Sequence, residues 1–519
     1  MGKTTTYSDR HAWYSGKPQP TTSTSTAQPI HAIDPSNLQN IATLYPSTHS
    51  QIDAAVLSAS KAFESWSRTT TIERSAILHR ASQLLRTHCH DLAVVETHST
   101  GKPYSETSTV DIVTGADVLD YYANLISSGG LNGESFRLRE EAMVYTSKEP
   151  LGVCAAIGAW NYPLQIALWK SAPCLAAGNC LVYKPSEFTS LHAEELAKIY
   201  QQAGLPDGVF NVVYGAGDVG AYLTTRPSIA KVSFTGQVST GKKVAGAAAG
   251  QMKYVTMELG GKSPLIVLPD ADVDQAVDGA MLANFFSTGQ VCTNGTRVFV
   301  PTAMKQQFET TLLKKMGYIR PGDLFNPTTN FGPLVSKAHY EKVVNYIHFG
   351  IKHDKATLLC GGTEQPSNIP HPLKNGLWVQ PTVFTNCTDN MKIVQEEIFG
   401  PVMCILPYTT VDEAITRANN TDLGLAAGVF GKDINQCHRV IRALEAGITW
   451  INTWGESPAE MAVGGWKSSG LGVENGRRGL EAWVRNKSTL VEMGGTVPTV
   501  FTKVDNKNGQ EEKDVKAKL

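Results

Sequence analysis

The residues best suited to chemistry fall in two short stretches. In Asn284-Phe-Phe-Ser-Thr-Gly-Gln-Val-Cys292-Thr-Asn-Gly-Thr-Arg297 one thiol sits among small, flexible residues, just ahead of a strand-like run from Arg297 to Val300. A thiol so placed is a candidate nucleophile, because a thiolate attacks an electrophilic carbon and can later depart. In Val255-Thr-Met-Glu258-Leu-Gly-Gly-Lys-Ser-Pro264 an apolar run delivers a carboxylate to a Gly-Gly turn, and acids at such strand ends commonly face a cleft. A cysteine beside a glycine is, taken alone, more often a small buried hydrophobe. Its pairing with a strand-end acid turns the reading towards catalysis.

Three further motifs suit a dinucleotide and an oxyanion. Phe234-Thr-Gly236-Gln-Val-Ser239-Thr-Gly241 puts a glycine turn between a strand and a helix, where free backbone N–H groups can face a pyrophosphate. It lacks the usual Gly-x-Gly-x-x-Gly, so a packing turn is the alternative. In Tyr183-Lys184-Pro-Ser186-Glu187 a carboxylate can accept from ribose hydroxyls while Lys184 donates to them. Glu187 in that position repels a 2′-phosphate, which favours NAD and leaves NADP as the second choice. Gly158-Ala159-Trp160-Asn161-Tyr162-Pro163 closes a strand with an amide, and thiolate addition to a carbonyl group creates an alkoxide that needs such a donor.

Together the Cys292 and Glu258 stretches closely resemble the active-site signatures of the NAD(P)-dependent aldehyde dehydrogenases, and the resemblance extends over 30–500. It implies Cys292 as nucleophile, Glu258 as general base and Asn161 as oxyanion donor. For the cofactor it implies Ala159, Trp160, Lys184, Ser186, Glu187, Gly236, Ser239 and Gly260, with Glu397 on the nicotinamide ribose and Phe399 supporting the ring in Gln395-Glu-Glu397-Ile-Phe399-Gly-Pro401. Lys170 and Glu474 match a proton-relay pair of the betaine aldehyde branch, for which a structural ion pair is the competing reading. Ile451-Asn-Thr-Trp454-Gly-Glu-Ser-Pro-Ala-Glu-Met461 is similar to that branch and to the one acting on 4-trimethylaminobutyraldehyde. Tyr162, Trp169 and Trp454 are then an aromatic box for a trimethylammonium group, since a quaternary cation offers no hydrogen-bond donor. Ser99 stands where bacterial relatives place an Asp that helps hold potassium, which puts an intrachain cation site in doubt. A catalytically silent dinucleotide-binding protein of this fold is the non-enzyme alternative. A coenzyme-A-acylating enzyme is disfavoured by the presence of Glu258.

The elements that must position these residues read as α/β. Apolar spacing predicts two helices between Gln51 and Arg86 and a third over 109–123. From Leu151 short apolar runs alternate with helical segments, as at Val153 to Ile157, Cys180 to Tyr183, Leu191 to Ala203 (capped by Thr189 or Ser190), Phe210 to Val213 and Val232 to Phe234. That is the grammar of a parallel, Rossmann-like sheet. A second α/β unit follows Glu258. The expected domains are a flexible arm at 1–29, a cofactor domain at 30–128 and 149–258, and a catalytic domain at 259–470. A small oligomerisation sheet at 129–148 and 481–499, implied by the resemblance, and a flexible tail at 500–519 complete the chain.

Composition narrows the class. The 519 residues require more than one ordinary core, and 46 basic against 47 acidic residues leave no charged face for nucleic acid. Nine cysteines without a Cys-x-x-Cys pair argue against a disulfide framework or zinc site and for a reducing compartment. No run approaches a membrane span and no secretory leader is visible. The expected partner is a small aldehyde, in a homodimer or homotetramer. The terminal Ala517-Lys518-Leu519 resembles a peroxisomal address, with the cytoplasm as the alternative.

Overall fold

The β-branched and aliphatic runs build two mostly parallel sheets, which makes the chain an α/β protein. The computed structural model describes residues 6–20, 28–495, 497 and 499–501. The first sheet has eight strands, in the order Lys17–Gln19, Ala12–Tyr14, Phe210–Val212, Cys180–Lys184, Val153–Ile157, Ile229–Thr235, Tyr254–Glu258 and Gly470–Leu471. Its five central strands are parallel, while the strand Ala12–Tyr14 and the pair Gly470–Leu471 run antiparallel at either side. Parallel strands covered on both faces need apolar residues at successive positions. Cys180–Lys184 and Val153–Ile157 are buried at every residue.

The second sheet has seven strands, ordered Thr357–Cys360, Thr382–Thr385, Val402–Tyr408, Arg297–Pro301, Pro264–Val267, Ala426–Phe430 and Ile448–Ile451. Successive side chains alternate between its faces. Ile266, Phe299, Cys404 and Val429 enter one core; Leu265, Val298, Ile405 and Phe430 enter another on the opposite side. Both sheets belong to one compact unit, residues up to 131 and 150–485. The second unit takes 132–149 and the chain from 486, and its sheet orders Val484–Glu492, Ala142–Pro150 and Ser135–Arg139. Among the described residues no helix is long and apolar enough to cross a membrane.

Four expectations need correction. Residues 6–20 are not a loose arm, because Ala12 and Trp13 are buried and Trp13 pairs with Val212 in the first sheet. The helix after Ser190 runs from His192 to Gln202 without a side-chain cap: the Thr189 hydroxyl is engaged with the Trp160 carbonyl at 3.0 Å, and Ser190 caps nothing. The third helix begins earlier, at Tyr104–Glu106, and passes through a π turn at Thr107–Asp111 before Ile112–Ser127. Gly470–Leu471 returns to the first sheet instead of closing the catalytic half. Most of the expected C-terminal tail, with its terminal tripeptide, lies outside the described residues.

Candidate active site

Glu258 ends the strand Tyr254–Glu258, in register with Thr235 on one side and Gly470 on the other. Its carboxylate is buried, and neither oxygen has a hydrogen-bond partner among the described residues. Burial first, then the charge of Glu474, pushes its pKa well above the usual carboxylate range, against a smaller opposing pull from Lys170. Cys292 lies between the 3-10 turn Phe286–Gly289 and the strand Arg297–Pro301, and is half-buried. Its thiol is pushed up to about 12 by burial and then by the charges of Glu397 and Glu258, while the backbone N–H groups of Cys292 and Thr293 oppose the shift. Asn161 follows the strand Val153–Ile157, and its amide donates to the Gln290 carbonyl at 2.9 Å. One amide hydrogen thus anchors the side chain two residues before the thiol, and the second remains for an oxyanion. The carboxyl ends of the first sheet therefore meet the segment that leads into the second.

Lys170 and Glu474 form an ion pair of 2.6 Å, both buried. Ser233, one strand residue from Phe234, joins them: Lys170 donates to its hydroxyl at 3.0 Å and the hydroxyl donates to Glu474 at 2.9 Å. A second Glu474 oxygen has no partner among the described residues. The charges of Glu474 and Lys170 both act on the Glu258 carboxyl, in opposite directions.

Several features would suit a dinucleotide. The helix Val238–Ala249 begins after Gln237 without a side-chain cap, with Ser239 exposed in its first turn, so its N-terminal N–H groups are open to an anion. A Cβ on Gly236 would stand 2.6 Å from the Phe234 ring, and one on Gly260 would stand 2.1 Å from a Glu397 oxygen. A side chain at either position would have to displace that neighbour. Lys184 is buried, donates to the Pro185 carbonyl at 3.0 Å and lies 3.6 Å from Glu187, with Ser186 buried between them. Glu397 accepts from the Gly261 N–H at 3.1 Å, and burial raises its pKa. Phe399 has a left-handed backbone at φ 61, its carbonyl accepts from His339 at 2.7 Å, and its ring meets Trp160 edge-on at 5.2 Å. Ala159, next to Trp160, is half-buried on the same loop.

Residues 21–489 match the model of the aldehyde dehydrogenase family. The chain belongs to that family. Solved structures agree with the assignment. An aldehyde dehydrogenase mutant from Bacillus cereus is 37% identical, with a TM-score of 0.89, and the match covers 93% of this chain and 97% of that one. A betaine aldehyde dehydrogenase from Staphylococcus aureus in complex with NAD+ is 36% identical, with a TM-score of 0.90, covering 95% and 97%. An indole-3-acetaldehyde dehydrogenase complexed with NAD+ is also 36% identical, at 0.89, covering 93% and 97%.

Within this aldehyde dehydrogenase the three aromatic candidates are not equivalent. Tyr162 and Trp169 are half-buried, whereas Trp454 is buried with its six-membered ring against Gly295 and Gly428. Tyr162 also carries the Lys102 ammonium 3.3 Å over its ring. Ser99 spends its hydroxyl on the Val95 carbonyl at 2.7 Å. Several residues were missed by sequence reasoning: Glu106, Ser287, Gln290, Ser233 and His339. Ser287 and Gln290 lie inside the nucleophile stretch, so scanning it for hydroxyl and amide groups would have raised them. Glu106 and Ser233 carried no local signal.

Proposed function

We propose that this chain oxidises an aldehyde to its carboxylic acid through a covalent thioester on Cys292. Aldehyde oxidation is the activity that family membership carries. The observation that carries the residue roles is the buried, unpartnered Glu258 carboxylate held close enough to Cys292 to raise its thiol. An aldehyde carbon is sp² and releases no hydride until a nucleophile makes it tetrahedral, which is the task of the Cys292 sulfur. The oxygen so charged is held by the free Asn161 amide hydrogen and the Cys292 backbone N–H, a donor of the kind whose loss costs about 100- to 1,000-fold in turnover. NAD, when bound, supplies the hydride acceptor; the uncapped helix start, Gly236 and Gly260 suit its passage, and Glu187 favours it over NADP. Glu258 then takes a proton from water as the water attacks the thioester, and the Lys170, Ser233 and Glu474 network receives or returns that proton. The test is pre-steady-state kinetics. Glu258→Gln should give a burst of NADH and then stall, while Cys292→Ala gives neither burst nor turnover. Full turnover without the thiol would overturn the covalent route.

The substrate class we favour bears a trimethylammonium group, betaine aldehyde giving glycine betaine first and 4-trimethylaminobutyraldehyde second. Identity does not choose among relatives, since the betaine and indole-3-acetaldehyde enzymes are equally similar at 36%. What supports the reading is the half-buried pair Tyr162 and Trp169, next in sequence to Asn161 and Lys170, whereas Trp454 belongs to the core. A free ring face offers a cation roughly 0.5–2 kcal/mol, and on Tyr162 that is the face opposite the Lys102 ammonium. Tyr162→Ala should raise KM for betaine aldehyde far more than for an uncharged aldehyde of similar size. Equal losses would make the ring a packing feature.

A further inference from the structure

Beyond the nucleophile and base, the turn that leads into Cys292 is gripped by a buried carboxylate from a distant segment. Ser287 and Thr288 both have left-handed backbones, at φ 50 and φ 54, and both are buried. Such residues leave a backbone N–H pointing away from any regular ladder. Glu106 reaches the same residue: the Ser287 hydroxyl donates to this carboxylate, and the Ser287 N–H helps to lower its pKa. Since the Ser287 proton is committed to Glu106, the Tyr162 phenol must be the donor in its 2.7 Å contact with Ser287. The result is a chain from Tyr162 to Ser287 to Glu106. Lys102 completes the support, 2.7 Å from Asp111, 3.8 Å from Glu106 and stacked on Tyr162. Glu96 is buried beside this group and interacts with Asp111 and Lys102, so three acids share one ammonium. The rest of the turn is held too: the Thr288 hydroxyl donates to the Gly332 carbonyl at 3.0 Å, and the Gln290 side chain accepts from the Val335 N–H at 3.0 Å.

We propose that Glu106 and Ser287 are positioning residues that set the reactivity of Cys292 by clamping the strained turn before it. The inference rests on Cys292 being the nucleophile and not on which aldehyde is used. Neither residue need touch substrate; their effect passes through the backbone of 287–291 to the sulfur and to the Gln290 carbonyl that anchors Asn161.

The experiment measures alkylation of Cys292 by iodoacetamide, read by peptide mass spectrometry, on folded full-length protein, with thermal midpoint and aldehyde turnover recorded alongside. Ser287→Ala keeps the backbone and removes one link of the chain. Glu106→Ala removes the acceptor of the Ser287 hydroxyl, and Glu106→Gln keeps a carbonyl oxygen able to accept it. Ser287→Ala and Glu106→Ala should slow alkylation roughly 10- to 100-fold, the loss expected of a small misplacement, and lower kcat with little change in KM for NAD. Glu106→Gln should regain most of the rate. Should Glu106→Ala not fold, Ser287→Ala decides alone. A lower melting point with alkylation within about twofold of wild type would make the contact purely structural and overturn the proposal. Turnover persisting in Cys292→Ala would instead overturn the parent reading.

Discussion

Burial makes Cys292 and Glu258 both resist ionisation, and their pH behaviour follows. With the thiol pushed up to about 12, it is protonated near neutrality. Its alkylation rate should therefore rise about tenfold per pH unit between about pH 7 and 10, without a plateau. A plateau near pH 8 would mean that the thiolate is stabilised. Glu106, raised from 4.5 to about 7 mainly by burial, contributes to stability with a definite sign. The folded state holds this proton more tightly than the unfolded chain, so the contribution is complete below about 4.5 and is lost as pH rises through about 7, at most roughly 3 kcal/mol. Glu106→Gln should flatten the fall in melting temperature over that window; an unchanged slope would contradict it. The placement of Cys292, Glu258 and Asn161 beside strands was legible in the sequence, because each sits in a short stretch whose apolar neighbours imply one. Glu106 was not, because its partner Ser287 is brought to it only by folding.

At the level of elements, continuous apolar runs made the central strands of the first sheet readable, since strands covered on both faces are apolar at even and odd positions alike. The N-terminal strands were hidden by proline and polar neighbours, although Trp13 is buried among apolar side chains. The missed caps have the same origin: a threonine that looks like a helix cap is free to bond elsewhere, and Thr189 does. No sequence rule foretold the left-handed Ser287 and Thr288, which cost about 1–2 kcal/mol each and must be compensated by their contacts. The turn after the Glu258 strand offers a direct test. A methyl on Gly260 overlaps the Glu397 carboxylate, so Gly260→Ala should raise KM for NAD at least roughly tenfold, while Cys292 alkylation without cofactor stays near wild type. Equal affinity would show that Glu397 is not the cofactor ligand.

For the molecule as a whole, the second unit carries Phe136, Leu138, Tyr145 and Leu490 at 50%, 54%, 42% and 58% exposure. Exposed apolar groups on a small sheet motivate the homo-oligomer proposed from the sequence. Leu138→Asp with Phe136→Asp should then yield a smaller species by light scattering; an unchanged mass would move the interface elsewhere. The first sheet has a further consequence, for the order of synthesis. The strand that ends in Glu258 is flanked on one side by Ile229–Thr235 and on the other by Gly470–Leu471. The whole second sheet is threaded between those two neighbours. A nascent chain that has left the ribosome only as far as Ile451 has every strand of the second sheet, yet the strand that ends in Glu258 is still an open edge with unpaired backbone groups. That strand is thus the last of the first sheet to be flanked on both sides, and translation arrested before Gly470 should leave a product prone to edge-to-edge association.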